Sequence, residues 1–251
     1  MLFCSPACRQ SAYRARKAAA MPAHQHQVRL RLAAADGISI DVPDIGTAVV
    51  REISRAEAMP FIKPHECMAA VSLFHFGIFF GERLGGVVVF GPEYGENLGI
   101  WDRYGYTGKI ITLQRGASAH WAHPHSASKL IRRAMRLLPA KYRVITASVD
   151  PPLAGEIGTV YQAANFHYVG VMCDGVRPLI HIGDKVISER QARRLVGTAS
   201  TRVLGRLGFD ATLVPRRARY FAFRGDKREQ DSLRKAIADL IKPYPKRSRR
   251  P

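Results

Sequence analysis

Two hydrophobic periodicities alternate along the chain. In SASKLIRRAMRLLP, Leu130, Ile131, Ala134, Leu137 and Leu138 recur at helical spacing and Pro139 ends the run, so the pattern predicts an amphipathic helix from Ser126. A polar, Pro-containing loop from Ala122 to His125 precedes it. After it, Tyr142 to Val149 is β-branched enough for a buried strand, which Asp150-Pro151-Pro152 stops with a carboxylate at its C-terminal end. A short helix from Gly158 to Asn165 then leads into a strand from Phe166 to Cys173. In a parallel strand–helix–strand unit, strand ends and helix starts face one crevice, which predicts that Ser126, Ser128, Asp150 and Tyr161 meet there.

The flanking segments extend this pattern. Thr47 to Ile53 reads as a strand, and Ser54 with Glu57 forms a capping box for a helix through about Ile62. Leu73 to Phe80 and Gly85 to Gly91 are apolar strands joined as a hairpin through Gly81 to Leu84. Residues 92–109 are turn-rich with four aromatics, and a strand from Ile110 to Gln114 ends at Arg115. Downstream, Gly175 to Ile182 and Arg219 to Arg224 read as strands. Ser188 to Gly205 and Glu229 to Ile241 read as helices, the first with Arg193 and Arg194 outward. The order β-α-β-β-β-α-β-α-β predicts an α/β (α+β) fold with a mixed central sheet flanked by helices. The domain is expected over 45–242, between a basic N-terminal extension and linker (1–44) and a basic tail (243–251).

Composition narrows the class. With 47% hydrophobic and 24% charged residues in 251, this is a globular composition. No apolar run reaches membrane-spanning length, and the basic N-terminus lacks the apolar segment of a secretory signal, so a soluble, cytoplasmic protein without a membrane partner is expected. Charge changes the picture most. Thirty-nine Lys and Arg against 20 Asp and Glu give +19. An excess of that size repels itself unless a polyanion compensates, and nucleic-acid phosphates are the usual partner. Solvated basic tails alone would account for PKRSRRP at the C-terminus. Basic residues inside the predicted elements, including Arg132, Arg133, Arg216 and Arg217, favour nucleic acid.

Candidate chemistry follows. Cys4 and Cys8 precede a basic segment, as in half of a small zinc-binding element; one pair supplies two of the four ligands zinc needs, and His24 and His26 are candidates for the others. The alternative is a decayed finger whose basic helix still touches phosphate. Among the aromatics of 92–109, Tyr94, Trp101 and Tyr104 are candidates to stack on an unpaired base, although a covering loop packed on the core uses the same residues.

The segment GTVYQAANFHYVG resembles the helix–turn–strand of GNAT-type acyltransferases, and HSASKLI, SVDPP, GTVYQAANFHYVG and a late RYFAF…PYPKR together resemble the phage Mom family of DNA adenine-modification proteins, over roughly Ala48 to Lys246. The resemblance implies a GNAT-like fold. It further implies transfer from acetyl-CoA to adenine N6 in double-stranded DNA, giving the methylcarbamoyl derivative that protects phage DNA from host restriction. Simple acyl transfer would leave an N6-acetyl group, so that product requires a further rearrangement or an iron-assisted step. The family's functional positions fall here on Arg115, Ser128, Asp150 and Tyr161, with His65 in a His-Glu pair where the family has His-Tyr. Asp150 would serve as base and Tyr161 as acid to the departing thiolate. His65 would be a metal ligand or proton carrier. The usual Gly-rich phosphate loop is replaced by His125-Ser126-Ala127-Ser128, small residues that would cap the helix or bind the pyrophosphate of acetyl-CoA. Each position also has a structural use: an ion pair for Arg115, a helix N-cap for Ser128, a turn cap for Asp150, packing for Tyr161. An ordinary GNAT N-acetyltransferase of a protein or small-molecule amine and a catalytically inactive DNA-binding protein are the alternatives.

Overall fold

The structure, a computed structural model, describes residues 31–35, 42–65, 72–93, 96–150, 157–171, 175–182, 185–187 and 189–246. Seven strands form the main sheet, in the order β1-β2-β3-β4-β5-β10-β6. They are β1 (Val49–Glu52), β2 (Phe74–Phe80), β3 (Arg83–Gly91), β4 (Ile110–Ser118), β5 (Val144–Val149), β6 (His167–Val171) and β10 (Ala218–Phe223). A second sheet, ordered β8-β7-β9, holds β7 (Val176–Ile182), β8 (Lys185–Ile187) and β9 (Asp210–Pro215). The helices are α1 (Arg55–Ile62), α2 (Glu96–Asp102), α3 (Ser126–Leu137), α4 (Thr159–Ala163), α5 (Glu189–Val196), α6 (Thr201–Arg206) and α7 (Lys227–Ala236). This is the mixed α/β architecture expected from the chain's patterning. Among the described residues, no helix is long and apolar enough to cross a membrane.

Strand alternation divides the core into two faces. Ile111 and Leu113 of β4, Ile145 and Ala147 of β5 and Tyr220 of β10 pack with Leu130, Ile131 and Ala134 of α3. Ile110, Val144 and Phe221 face the other way, onto Trp101 and onto Leu233 of α7. Leu130, Ile131 and Ala134 of α3 are thus buried while Leu137 stays exposed, and the polar face carries exposed Arg132, Arg133 and Arg136. The capping box at α1 forms as its sequence predicts: Ser54 Oγ accepts from the Glu57 N–H at 3.1 Å, and Glu57 Oε2 accepts from the Ser54 N–H at 2.8 Å.

Three expectations change. Residues 92–109 contain the helix α2, because Trp101 anchors that segment in the core. The helix expected over Ser188 to Gly205 is two helices, parted after α5 by Gly197 at φ 76. Strand β6 is not the neighbour of β5. β10 lies between them, antiparallel to both, so the elements from β7 to β9 form an insert between β6 and β10 of the main sheet. The insert has its own small core of Ile180, Ile187, Ala192 and Leu204, with Val196 and Phe209 against it.

Candidate functional site

Strands β4 and β5 form the parallel pair of the main sheet, in register from Ile110↔Val144 to Leu113↔Ala147. Beyond that point both strands continue, β4 to Ser118 and β5 to Val149, but they no longer pair with each other. The sheet is therefore parted between the C-terminal ends of its central strands. This parting is the crevice; the start of α3 and the end of β5 flank it.

On one face the start of α3 supplies anion-binding groups. His125 is the N-cap residue, but no side chain caps the helix and its first turn has no acidic residue. The backbone N–H groups of Ala127 and Ser128 find no acceptor among the described residues, and the Ser126 hydroxyl is fully buried without a hydrogen-bond partner. A buried unpaired hydroxyl is costly, and together with free N–H donors at a helix start it suits a phosphate oxygen. Ser128 is not the N-cap considered for it: it lies three residues inside, and its hydroxyl donates to the His125 carbonyl at 3.1 Å. The His123 and His125 rings lie beside one another, 5.2 Å between centroids, at the rim.

Tyr161 belongs to the same face, and the Arg115 guanidinium of β4 acts on it electrostatically. Tyr161 packs on Tyr220 (5.2 Å between centroids) and Phe166 (5.4 Å), and Tyr220 donates to the Ile157 carbonyl at 2.5 Å. Gly158, at φ 75, opens α4 against the Tyr220 ring; a Cβ there would sit 2.4 Å from Tyr220 Cζ. Only glycine permits that approach. Burial pushes the Tyr161 phenol up to about 12, against the opposing influence of the Arg115 guanidinium. Arg115, on the part of β4 that pairs with β3 but no longer with β5, also donates to the Gln114 carbonyl at 2.6 Å.

Asp150 turns to the other face, since Val149 before it packs on the α3 side. The free carboxylate expected of a base is not what the structure holds there. Arg177 Nη2 of β7 lies 2.5 Å from both Asp150 oxygens, and Arg217 Nε lies 3.5 Å from Oδ2. Asp150 and Arg177 are nearly buried, with side chains 13% and 8% exposed. A second carboxylate, missed by the sequence reading, lies at the base of the parting. Glu93 Oε2 accepts from Thr112 Oγ1 at 2.6 Å and also from Thr146 Oγ1. Thr112 and Thr146 are register partners one step before the strands separate. Asn97 Nδ2 donates to the same oxygen at 3.3 Å. Glu93 was hidden in a turn-rich run; its one sequence signal is its place just after an apolar strand.

The remaining candidates scatter. Trp101 cannot stack on an unpaired base, because it is wholly buried among Tyr106, Phe221 and Phe223. Tyr104 keeps an exposed ring, but its hydroxyl is tied to the Ala236 carbonyl at 2.6 Å. Arg132 and Arg133 are exposed on α3, and Arg216 and Arg217 lie just before β10. His65 closes a 3-10 turn after α1, and its side chain lies outside the described residues. Cys4, Cys8, His24, His26 and Tyr94 also lie outside them, and no group of three or more His, Cys, Asp or Glu able to hold a metal occurs among the described residues.

Solved structures similar to this chain include two acetyltransferases. One is an acetyltransferase of the GNAT family from Streptococcus pneumoniae, at 10% identity and a TM-score of 0.39, covering 71% of this chain and 99% of that one. The other is an N-acetyltransferase from Staphylococcus aureus Mu50, at 18% identity and a TM-score of 0.39, covering 70% and 98%. No curated protein matches. The family model of the Mom protein family matches residues 47–246, which span the whole main sheet, the crevice and the insert. The chain belongs to the Mom protein family.

Proposed function

We propose that the chain modifies adenine in double-stranded DNA at the exocyclic N6, drawing the added unit from acetyl-CoA and giving the methylcarbamoyl derivative that shields DNA from restriction. The observation that carries this reading is the parting of β4 from β5, with an anion-binding helix start on one face and carboxylates and basic residues on the other. A cofactor and an acceptor entering from opposite faces would meet in it.

The residues present fit acetyl-CoA: an orphaned buried hydroxyl at Ser126 and the unpaired N–H groups of Ala127 and Ser128 suit its pyrophosphate. When bound, acetyl-CoA supplies a thioester carbonyl open to attack by an amine. Adenine N6 is a weak nucleophile whose lone pair is delocalised, so a proton must leave as the N–C bond forms. Glu93 is the carboxylate at the base of the parting, and it receives that proton. Tyr161, kept as a phenol by its raised pKa, donates its own at the departing sulfur as the C–S bond breaks. One proton leaves the amine and one reaches the thiolate, so this acyl transfer balances and leaves an N6-acetyl group; the methylcarbamoyl derivative takes a further rearrangement after it. The Arg115 guanidinium, which favours the ionised form of Tyr161, steadies the phenolate formed.

Nucleoside mass spectrometry of DNA from cells expressing the chain tests this reading. A deoxyadenosine carrying the methylcarbamoyl group is expected. An N6-acetyl product would keep the transfer and reject the product, and unmodified DNA would reject the function.

A further inference from the structure

The insert has the composition of a polyanion-binding surface. Residues 176–217 hold nine Lys and Arg against three Asp and Glu. Arg193 and Arg194 on α5 and Arg202 and Arg206 on α6 are exposed, and none of the four is paired with a carboxylate among the described residues. Ala192 and Leu204 turn the opposite sides of these helices into the insert's core, which fixes the arginine-bearing sides outward. Exposed Leu195, Val203 and Leu207 are interleaved with the arginines.

The place of the insert gives this charge a direction. The chain leaves the main sheet after Val171 and re-enters it at Ala218, which is the register partner of both Val171 and Val149. Both junctions therefore lie at the end of β5 where the crevice opens. At that same point Asp150 holds Arg177 of β7 and Arg217, the residue just before the return strand β10. Asp150 is the joint between the basic surface and the crevice.

We propose that the insert is the element that grips duplex DNA, and that Asp150, through Arg177 and Arg217, holds this surface in line with the crevice as a positioning residue. The proposal rests on the reading of the chain as a DNA-modifying enzyme. Duplex phosphates fit four exposed, unpaired guanidinium groups on two helices better than a protein partner does, because a net excess of six positive charges would repel a second copy of the insert. The neighbouring apolar side chains suit the sugar edges of a groove. One nitrogen, Arg177 Nη2, bridges both Asp150 oxygens, and Arg217 holds Oδ2 from a second side, so two arginines fix the carboxylate.

Two comparisons on the full chain test it. The variant with Arg193, Arg194, Arg202 and Arg206 all changed to Ala should lose about 100-fold in affinity for a duplex oligonucleotide, measured by fluorescence anisotropy. Its slope of log affinity against log salt should be shallower by roughly 3 to 4. Acetyl-CoA binding, measured in parallel by calorimetry, should be unchanged and reports that the domain is folded. Unchanged duplex affinity and slope would overturn the interface. If that affinity falls but the parent chain modifies no adenine, the interface stands and the proposed function fails.

The second comparison sets Asp150→Asn beside Arg177→Gln. If the pair acts as a joint, both should bind duplex and acetyl-CoA like the parent and lose adenine modification to a similar extent. In both, duplex at saturating concentration should leave kcat depressed. An Arg177→Gln chain that modifies adenine at the parent rate while Asp150→Asn does not would overturn the positioning role and return Asp150 to the chemistry itself.

Discussion

Around the crevice, polar groups are buried and fixed: the Ser126 hydroxyl is enclosed, Tyr161 is wedged between two rings, and Glu93 is held by two threonines. On the insert, by contrast, four arginines stand exposed on two helices with no carboxylate beside them among the described residues. Each arrangement suits a different kind of anion. Buried donors in fixed geometry can match one small group closely and repay their own desolvation only when it arrives. Exposed guanidinium groups pay little desolvation, tolerate sequence and position, and draw their affinity from counterion release, which salt suppresses. The crevice should therefore respond to single-atom changes, and the insert to the number of charges.

Tyr161→Phe, which deletes one oxygen in the crevice, should have the largest effect. Single-turnover measurement should show the chemical step slowed by about 100-fold or more, with acetyl-CoA affinity retained. A parent-like rate would remove Tyr161 from the chemistry. Asp150→Asn acts at the joint between the two regions. Weakening a nearly buried ion pair should cost about 3 kcal/mol of the insert's attachment. Amide hydrogen exchange should then report lost protection in β7 and retained protection in β4 and β5; loss across both sheets would deny that the insert is a separable unit.

Ser126→Ala should change the two states in opposite directions. Removing a buried hydroxyl without a partner should stabilise the ligand-free protein by about 1 kcal/mol, while the rise in Tm on adding acetyl-CoA shrinks. A ligand-free protein that loses stability would mean that the hydroxyl is already satisfied. The smallest effect is alkaline. Tyr161 has its folded pKa raised from 10 to about 12, and burial raises Tyr220, Tyr168 and Tyr244 as well. An unfolded chain then loses these protons before the folded one, so the contribution to stability is complete below pH 10 and falls as pH rises through 12. Denaturant midpoints at pH 9 and 11 should differ less in Tyr161→Phe than in the parent.

The main sheet was legible because its strands are apolar runs and its helices carry capping or periodic signals, as at Ser54 with Glu57 and at Ser126 to Leu137. The helix start at Ser126 and the strand end at Asp150 were legible for the same reason, but Asp150 turns to the opposite face from Ser126 and pairs with the insert, which their sequence positions do not show. The insert was only half legible. Strand β9 (Asp210–Pro215) is almost wholly exposed, so its sequence shows no buried alternation, and β8 is three residues long. The pairing of Asp150 with Arg177, 27 residues on, is tertiary and leaves no local trace. Trp101 shows the limit of composition: the same aromatic suits a base stack or a core, and packing decided for the core.

The most direct measurement is the fate of labelled carbon. Purified chain, isotopically labelled acetyl-CoA and an adenine-containing duplex should yield labelled deoxyadenosine on nucleoside mass spectrometry. Omitting the protein or replacing it with the Tyr161→Phe variant should abolish or greatly reduce that label. Duplex that is bound by the chain but carries no labelled deoxyadenosine would contradict the account.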